Sequence, residues 1–256
     1  MPPLDAQHAP AVAVLGDTPY STTEAGRLDR LIGDLNARPL AFVVHVGDLG
    51  TSAQACRDDW LAARRAQLGR LSHPLIVLPG DNDWSDCHLQ GADPLARLAR
   101  WRELFCVAPA SIRVERQPGP YCEHVRWRIG ETLFVALNVP GNRNNARQPE
   151  EHRRRMEAAL AWLEAAARLE PRRLVVLMHA NPYLAAKPYR VLMERLQALA
   201  SRRPGRVVLV HGDTHIAKDD EPSPGLRRIE VWGSPFVGWT RLVLGEALEV
   251  ESSIAY

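Results

Sequence analysis

Five apolar segments of the sequence each run into residues whose side chains can bind a cation. These residues are carboxylates, imidazoles and one amide: Asp17, Asp48, Asp81 with Asn82, His179, and Asp213 with His215. Such groups are the protein ligands of divalent metals from Mg and Mn to Fe and Zn. A charge at a buried strand end is costly to desolvate unless another group compensates it. Five such positions in series therefore predict one shared metal centre.

The segments in front of these residues have the pattern of buried β-strands. They are short, continuous apolar runs, typical of strands covered on both faces: residues 11–15, 41–46, 75–78, 174–178 and 206–210. Helical spacing or capping signals occupy most of the intervals: from Ser21 to Pro39, then 54–71, 93–105, 150–168 and 188–200. This alternation predicts an α/β fold, in which ligands gather where loops leave the carboxyl ends of the strands.

The second half of the chain adds antiparallel strands. Residues 123–129 and 132–139 flank Gly130-Glu131 in the manner of a hairpin, and short strands follow at 226–231, 240–244 and 247–251. The sequence contains no linker, repeat or low-complexity segment. We therefore expect a single domain over residues 1–256, with a core of about 11–245.

The composition is that of an ordinary globular protein. The chain has 256 residues, 46% hydrophobic and 24% charged, and a formal charge of +2 that gives no specific signal for nucleic acid. No apolar run approaches the roughly 20 residues of a membrane span, and the N-terminus lacks the regions of a signal peptide. We therefore expect a soluble cytoplasmic protein, or a periplasmic one if a leader has been removed.

The four cysteines do not predict a metal site. Cys56, Cys87, Cys106 and Cys122 show no CxxC spacing, which argues against structural zinc. Their even number permits two disulfides, and Cys56 and Cys87 each follow the loop of a ligand-bearing strand. Buried or free thiols are nevertheless the interpretation that the sequence favours.

The five ligand motifs together resemble the calcineurin-like metallophosphoesterases. The family pattern is D-x-H, G-D, G-N-H-[DE], H and G-H-x-H, and the resemblance covers about residues 11–245. It is strongest to a bacterial subgroup with the motifs G-D-T-P-Y, P-G-D-N-[DE]-W and H-G-D-T-H. The resemblance implies a four-layer αββα sandwich of mixed sheets and a site for two divalent metal ions.

The family's ligand roles map onto most of the motif residues. The resemblance implies that Asp17 and His215 bind the first metal, that Asp48 bridges both and that His179 binds the second. Pro19 stands where the first motif of the family has a ligand histidine, so Tyr20 or a water would complete the first site.

Two further motifs depart from the family pattern. Asp81 stands at the position of the ligand asparagine and Asn82 at that of the catalytic histidine, although a slip of one residue would make Asn82 the ligand. Asp213 replaces a ligand histidine, and His211 competes for that role. Because carboxylates replace an amide and an imidazole, the site should favour Mn, Mg or Fe over Zn.

The resemblance implies hydrolysis of a small phosphorylated substrate, a phosphomonoester or phosphodiester, by a metal-bound hydroxide at a dinuclear site. Asn82 cannot protonate a leaving group, although its amide can hydrogen-bond a phosphoryl oxygen. His88 and His211 are the candidate acids, and His88 is equally well explained as a surface residue. The alternative function is a non-catalytic phospholigand-binding or scaffold protein with a degenerate metal site.

Three smaller features have two interpretations each. Arg143 and Arg147 could form a phosphate-binding rim, although a solvated loop is the favoured interpretation. Residues 232–239 could form an aromatic wall or a packed turn. His45 lies inside a strand and is expected to support the site or the core rather than to bind metal. The sequence lacks the GxGxxG, GxxxxGK[ST] and GxSxG motifs of nucleotide-binding proteins and serine hydrolases.

Overall fold

Two β-sheets pack face to face and carry helices on their outer faces. This arrangement is seen in a computed structural model that describes residues 9–107, 109 and 111–255. None of the helices within these ranges is long and apolar enough to cross a membrane.

The helices and strands alternate through the first two thirds of the chain and give way to strands in the last third. The helices are α1 (Thr22–Asn36), α2 (Ser52–Ala55), α3 (Asp58–Leu68), α4 (Pro94–Phe105), the single turn α5 (Gly141–Asn144), α6 (Pro149–Ala167) and α7 (Ala186–Arg202). The strands are β1 (Ala11–Leu15), β2 (Phe42–His45), β3 (Leu75–Val77), β4 (Glu115–Arg116), β5 (Val125–Ile129), β6 (Thr132–Ala136), β7 (Arg173–Leu177), β8 (Val207–His211), β9 (Lys218–Ser223), β10 (Leu226–Glu230), β11 (Gly238–Leu244) and β12 (Leu248–Ile254).

Both sheets are mixed. The five-stranded sheet has the order β12-β11-β1-β2-β3, and its last three strands are parallel. The seven-stranded sheet has the order β4-β5-β6-β7-β8-β10-β9, with four parallel strands from β6 to β10. The predicted hairpin of β5 and β6 is antiparallel, as expected.

Three apolar cores separate the four layers. Along β1, Ala13 and Leu15 pack on the side of α1, α3 and α4, whereas Val12 and Val14 face the core between the sheets. The residues of β7 divide in the same way between that central core and a core under α6 and α7. Each central strand is therefore buried on both faces, which explains its unbroken apolar sequence. The predicted four-layer αββα sandwich is confirmed.

The region predicted as one helix over 54–71 is divided. α2 ends at Ala55 and α3 begins at Asp58, and Cys56 between them is bonded to Cys87. A second disulfide joins Cys106 to Cys122. The favoured interpretation of free thiols was therefore wrong, since parity says only that pairing is possible and cannot say which side chains meet.

Two strands have no counterpart in the sequence prediction. β9 pairs with β10 at an edge of the larger sheet, and β4 pairs with β5 at the other edge. Most of β9 is exposed and reads Lys-Asp-Asp-Glu-Pro-Ser, which lacks apolar alternation. An edge strand buries little side-chain surface, so its sequence carries no hydrophobic signal.

Candidate metal centre

The carboxyl ends of five parallel strands bring together the predicted ligands. Ligand atoms of Asp17, Asp48 and His179 lie within 4.8 Å of one another, and so do those of Asp81, His179 and Asp213. His179 belongs to both groups, and the two sheets contribute to each. The chain therefore forms one buried cluster, of which we call Asp17, Tyr20, Asp48 and His215 the first half and Asp48, Asp81, His179 and Asp213 the second half.

His179 directs one ring nitrogen into the cluster. Its Nδ1 lies 3.1 Å from the carbonyl oxygen of Val46 and donates to it. Its Nε2 then faces the carboxylates, at 3.0 Å from Asp81, 3.5 Å from Asp48 and 3.9 Å from Asp213. A backbone acceptor on one nitrogen fixes the tautomer that leaves the other free to bind metal.

His215 has the same arrangement on the opposite side of Asp48. Its Nδ1 donates to the carbonyl oxygen of Ser234 at 2.7 Å, and its Nε2 lies 3.5 Å from Asp17 Oδ1. The hydroxyl of Tyr20 is 3.5 Å from the same Nε2 and donates to Asp48 Oδ2 at 2.7 Å. A phenol oxygen thus stands beside the first half, where the sequence left Tyr20 or a water as alternatives.

The third motif points Asp81, and not the Asn82 side chain, at His179. The Asn82 amide donates to Asp48 Oδ2 at 2.6 Å and to the Tyr20 hydroxyl at 3.1 Å. Its backbone N–H donates to the other Asp48 oxygen at 3.0 Å. Of the two alternatives for a ligand in the second half, the geometry favours Asp81, and it places Asn82 against the bridging carboxylate.

The fifth motif makes an equivalent choice. Asp213 lies in the second half, where Oδ2 accepts the backbone N–H of Asn181 at 2.8 Å. His211 is buried outside both halves, with Nδ1 2.8 Å from the carbonyl oxygen of Gly212 and Nε2 without a partner among the described residues. Burial lowers the pKa of His211 to about 3. The imidazole is therefore neutral near pH 7 and holds no proton to donate as a cation.

His88 lies at the surface rather than in the cluster. Its Nδ1 is 3.1 Å from the carbonyl oxygen of Ser85, and its Nε2 accepts from Arg147 at 2.7 Å. Neither His88 nor His211 makes a hydrogen bond to a residue of the cluster among the described contacts. Their roles as acids stay predictions, and the geometry lends them no support.

Two buried side chains hold the loops that carry the ligands. Asp83 accepts three backbone N–H groups, from Asp48 at 3.0 Å, Leu49 at 2.9 Å and Gly80 at 2.8 Å. His45 donates to the carbonyl oxygen of Thr18 and accepts from the N–H of Gly47. Burial lowers the pKa of His45 to about 4, so the ring is neutral. It supports the loops, as the sequence indicated.

The backbone of the ligand residues is unusual. Four of them lie in the left-handed region, with φ of 51° at Asp17, 59° at Asp48, 78° at Asp213 and 64° at His215. Residues other than glycine seldom adopt such values, and they persist only when the surroundings impose them. The fold therefore holds these side chains in directions that a relaxed loop would not choose.

The electrostatics of the cluster fit a cationic cofactor. Burial raises the pKa of Asp17 to about 6 and raises the pKa of Asp48 well above its usual range. Burial alone would lower the pKa of His179, but the neighbouring carboxylates, Asp48 foremost, outweigh it and raise that pKa. Several carboxylates that are buried together are stable in their charged form only beside positive charge, which divalent metal ions would supply.

One residue of this edge was missed in the sequence. β6 is followed by Pro140-Gly141, and a Cβ on Gly141 would stand 2.5 Å from Asp213 Oδ1 and 2.9 Å from Asp81 Oδ2. The backbone at Gly141 therefore lies directly against the second half. The signal was present, because the same Pro-Gly pair precedes Asp81, but no ligand-type residue drew attention to it.

Comparison with solved structures finds the same architecture in two phosphatases and a nucleotidase. A dimetal phosphatase from Danio rerio superimposes with a TM-score of 0.62 at 15% identity, over 97% of each chain. The purple acid phosphatase PPD1 from yellow lupin gives 0.57 at 15% identity, over 96% of this chain and 52% of that one. A 5'-nucleotidase from Candida albicans gives 0.54 at 9% identity, over 97% of this chain and 52% of that one.

Comparison of the sequence itself finds no match. No family model matches it, and no curated protein matches it. At 15% identity or less, the structural likeness establishes the fold and not the activity. The chain has the calcineurin-like phosphoesterase fold.

Proposed function

We propose that this protein is a calcineurin-like metallophosphoesterase that hydrolyses a phosphomonoester or phosphodiester with two divalent metal ions. One observation carries the proposal: two histidines, each tied through Nδ1 to a backbone carbonyl, present Nε2 to buried carboxylates on the two sides of Asp48. This is the arrangement of metal-binding histidines. The phosphatases that share the fold support the same conclusion.

Seven residues would hold the two ions. Asp17, Tyr20 and His215 would bind the first, Asp81, His179 and Asp213 the second, and Asp48 both. When bound, a pair of divalent ions activates water near neutral pH and neutralises phosphoryl oxygens. Four carboxylates and a phenol outnumber two imidazoles, so the donor set is hard, and we infer a preference for Mn, Mg or Fe over Zn.

Asn82 bears on which leaving groups the site accepts, because its amide can donate a hydrogen bond but cannot donate a proton. Its amide is already directed at the cluster by Asp48 and Tyr20. Both of its N–H groups are engaged there, so it would exchange the contact with Tyr20 to donate to a phosphoryl oxygen and stabilise negative charge on it. Since neither candidate acid, His88 or His211, contacts the cluster among the described residues, and Tyr20 is assigned to the first metal, leaving groups of low pKa, such as phenols or phosphates, should be far better than alkyl alcohols.

The two disulfides bear on the compartment. Such bonds are typical of oxidising environments and rare in the cytosol. We therefore propose an oxidising compartment, such as the periplasm, in preference to the cytoplasm expected from the N-terminal residues. The motifs G-D-T-P-Y and H-G-D-T-H support assignment to the bacterial subgroup that shares them.

The test combines metal analysis with turnover. Purified protein should contain close to two metal ions per chain and should hydrolyse aryl phosphate monoesters or diesters when supplied with Mn, Mg or Fe. Failure of every metal to bind or to support turnover would refute the proposal. Tight binding of metal and phosphate without turnover would instead establish the alternative, a phospholigand-binding protein with a degenerate site.

A further inference from the structure

A strained turn lies at the mouth of the second half of the centre. Directly after Gly141, four successive residues have left-handed backbones, with φ of 38° at Asn142, 61° at Arg143, 57° at Asn144 and 53° at Asn145. Asparagine tolerates this conformation because its short amide can hydrogen-bond locally. The arginine side chain makes no such local hydrogen bond, so the left-handed backbone at Arg143 destabilises the fold without local compensation.

Buried contacts from two helices impose the turn. Arg155, which is fully buried in α6, donates to the Asn144 side chain at 2.7 Å and to the Asn144 carbonyl at 3.0 Å. Asn145 donates to Glu151 at 2.7 Å, and Tyr189 of α7 donates to the carbonyl oxygen of Pro140 at 3.1 Å. Backbone strain that the surroundings enforce is concentrated at functional sites.

The two arginines of this loop have different surroundings. Arg147 is engaged, since its guanidinium donates to His88 and to the carbonyl oxygen of Ser85. The Arg143 side chain is exposed and forms neither a hydrogen bond nor an ion pair with the described part of the chain. Only Arg143 is therefore free to bind an external group.

Arg143 is close enough to serve the metal centre. Consecutive Cα atoms are about 3.8 Å apart, so the Arg143 Cα lies within about 7.6 Å of the Gly141 Cα. Gly141 itself lies against Asp81 and Asp213. A long guanidinium side chain at that distance can reach a group bound beside the second half, and guanidinium forms forked hydrogen bonds with phosphate or carboxylate.

We propose that Arg143 binds a second anionic group of the substrate, so that the preferred substrate is a phosphoester carrying a further phosphate or carboxylate besides the scissile group. The inference rests on the proposed function, because the scissile group is taken to lie at the metal pair. The strained turn then has a purpose, which is to aim one unpaired guanidinium across the mouth of the site.

The test measures binding of non-hydrolysable phosphonates to the metal-loaded protein by calorimetry. Two pairs differ only by a carboxylate: phosphonoacetate against methylphosphonate, and 4-carboxyphenylphosphonate against phenylphosphonate. The wild-type protein should bind the dianionic member of at least one pair more tightly by on the order of tenfold, the effect of one charge-assisted hydrogen-bonded contact. Arg143→Gln should abolish that preference, and Arg143→Lys should restore part of it.

Two further variants separate binding from structure. Arg168→Gln, which removes an exposed arginine at the end of α6, should leave both affinities unchanged. Arg143→Gly should raise the thermal midpoint because glycine accepts positive φ, and should still lose the preference. If Arg143→Gln keeps the preference, or if the wild-type protein has none for either pair, the inference is wrong. If the loaded protein binds no phosphonate at all, the proposed function fails with it.

Discussion

The two halves of the proposed metal centre have different donor groups in the same general arrangement. Each half has a histidine whose Nδ1 is held by a backbone carbonyl and whose Nε2 faces Asp48 or its neighbours. The first half adds one carboxylate and a phenol, Asp17 and Tyr20, whereas the second adds two carboxylates, Asp81 and Asp213. The surplus of negative charge therefore lies in the second half.

If the proposed function is correct, the departures from the pattern of the family that the sequence resembles are compensated in different ways in the two halves. In the first half, Pro19 stands in place of a ligand histidine, and the hydroxyl of the next residue, Tyr20, would replace that ligand. The hydroxyl lies 2.7 Å from Asp48. In the second half, carboxylates take the positions of an amide and an imidazole. Both halves keep groups that bind cations, as a working metal site requires.

Removing the shared residue should have the largest effect, because it abolishes both halves together. We expect Asp48→Ala to bind neither metal tightly and to lose all detectable turnover, since Asp48 is the carboxylate that both ions would share. Elemental analysis and an aryl phosphate assay measure both outcomes. Asp59→Ala, at an exposed carboxylate paired with Arg57, is the control and should behave as wild type. Full turnover in Asp48→Ala would mean that the centre lies elsewhere.

Asn82→His should change the chemistry more than the metal content, because position 82 faces Asp48 from outside both halves. A positioned acid contributes roughly 10²–10⁴ in rate when the leaving group needs a proton. We expect alkyl phosphates to gain by about 10² and aryl esters of low leaving-group pKa to change little. The ratio of the two rates in one preparation is the measurement, so that losses of stability cancel. Equal effects on both substrates would contradict the assigned role of Asn82.

Tyr20→Phe should weaken the first half alone. Loss of one oxygen donor is expected to lower metal affinity there by on the order of 10–100-fold, while the second half keeps its ion. Titration followed by elemental analysis should show occupancy falling from two ions towards one. Tyr183→Phe removes a hydroxyl remote from the cluster and should retain two. If Tyr20→Phe also keeps both ions at the same affinity, a water completes the first site instead.

Asp81→Asn should have the smallest effect, since it restores a neutral ligand at the position where the family has asparagine. The second half becomes less negative, and the occupancy ratio of Zn to Mn should rise several-fold in competition. Asp86→Asn, at a neighbouring carboxylate outside the cluster, should leave the ratio unchanged. An unchanged ratio in Asp81→Asn would show that the charge of residue 81 does not set the preference.

The sequence predicted the fold, and it predicted several of the strand-end residues that the structure brings together, because both depend on the same local pattern. A strand buried on both faces has an unbroken apolar sequence, and a ligand such as Asp48 or His179 at its end stands out against it. The choice between Asp81 and Asn82 could not be predicted, since it depends on loop backbone angles that distant groups such as Asp83 impose. The contact of Tyr20 with His215 joins residues 195 positions apart and has no local signal.

The edge strands and the disulfides could not be predicted from the sequence, for different reasons. β9 exposes both faces, so its composition is that of a loop. Cys56 and Cys87 meet only after α2 and the third motif have packed together, and their spacing in the sequence does not reveal that. The Pro-Gly pair at Pro140-Gly141 indicates a turn at the end of a strand, as the same pair does before Asp81.

The Cys56–Cys87 bond has a consequence for how the protein exchanges its cofactor. It closes a separation of 31 residues and ties the helix after the second motif to the segment just beyond Asp81, Asn82 and Asp83. A covalent link of this kind limits the conformations open to the turn when the ions leave. We therefore expect the protein to stay folded when a chelator removes the proposed metal ions. Activity should then return when metal is added back.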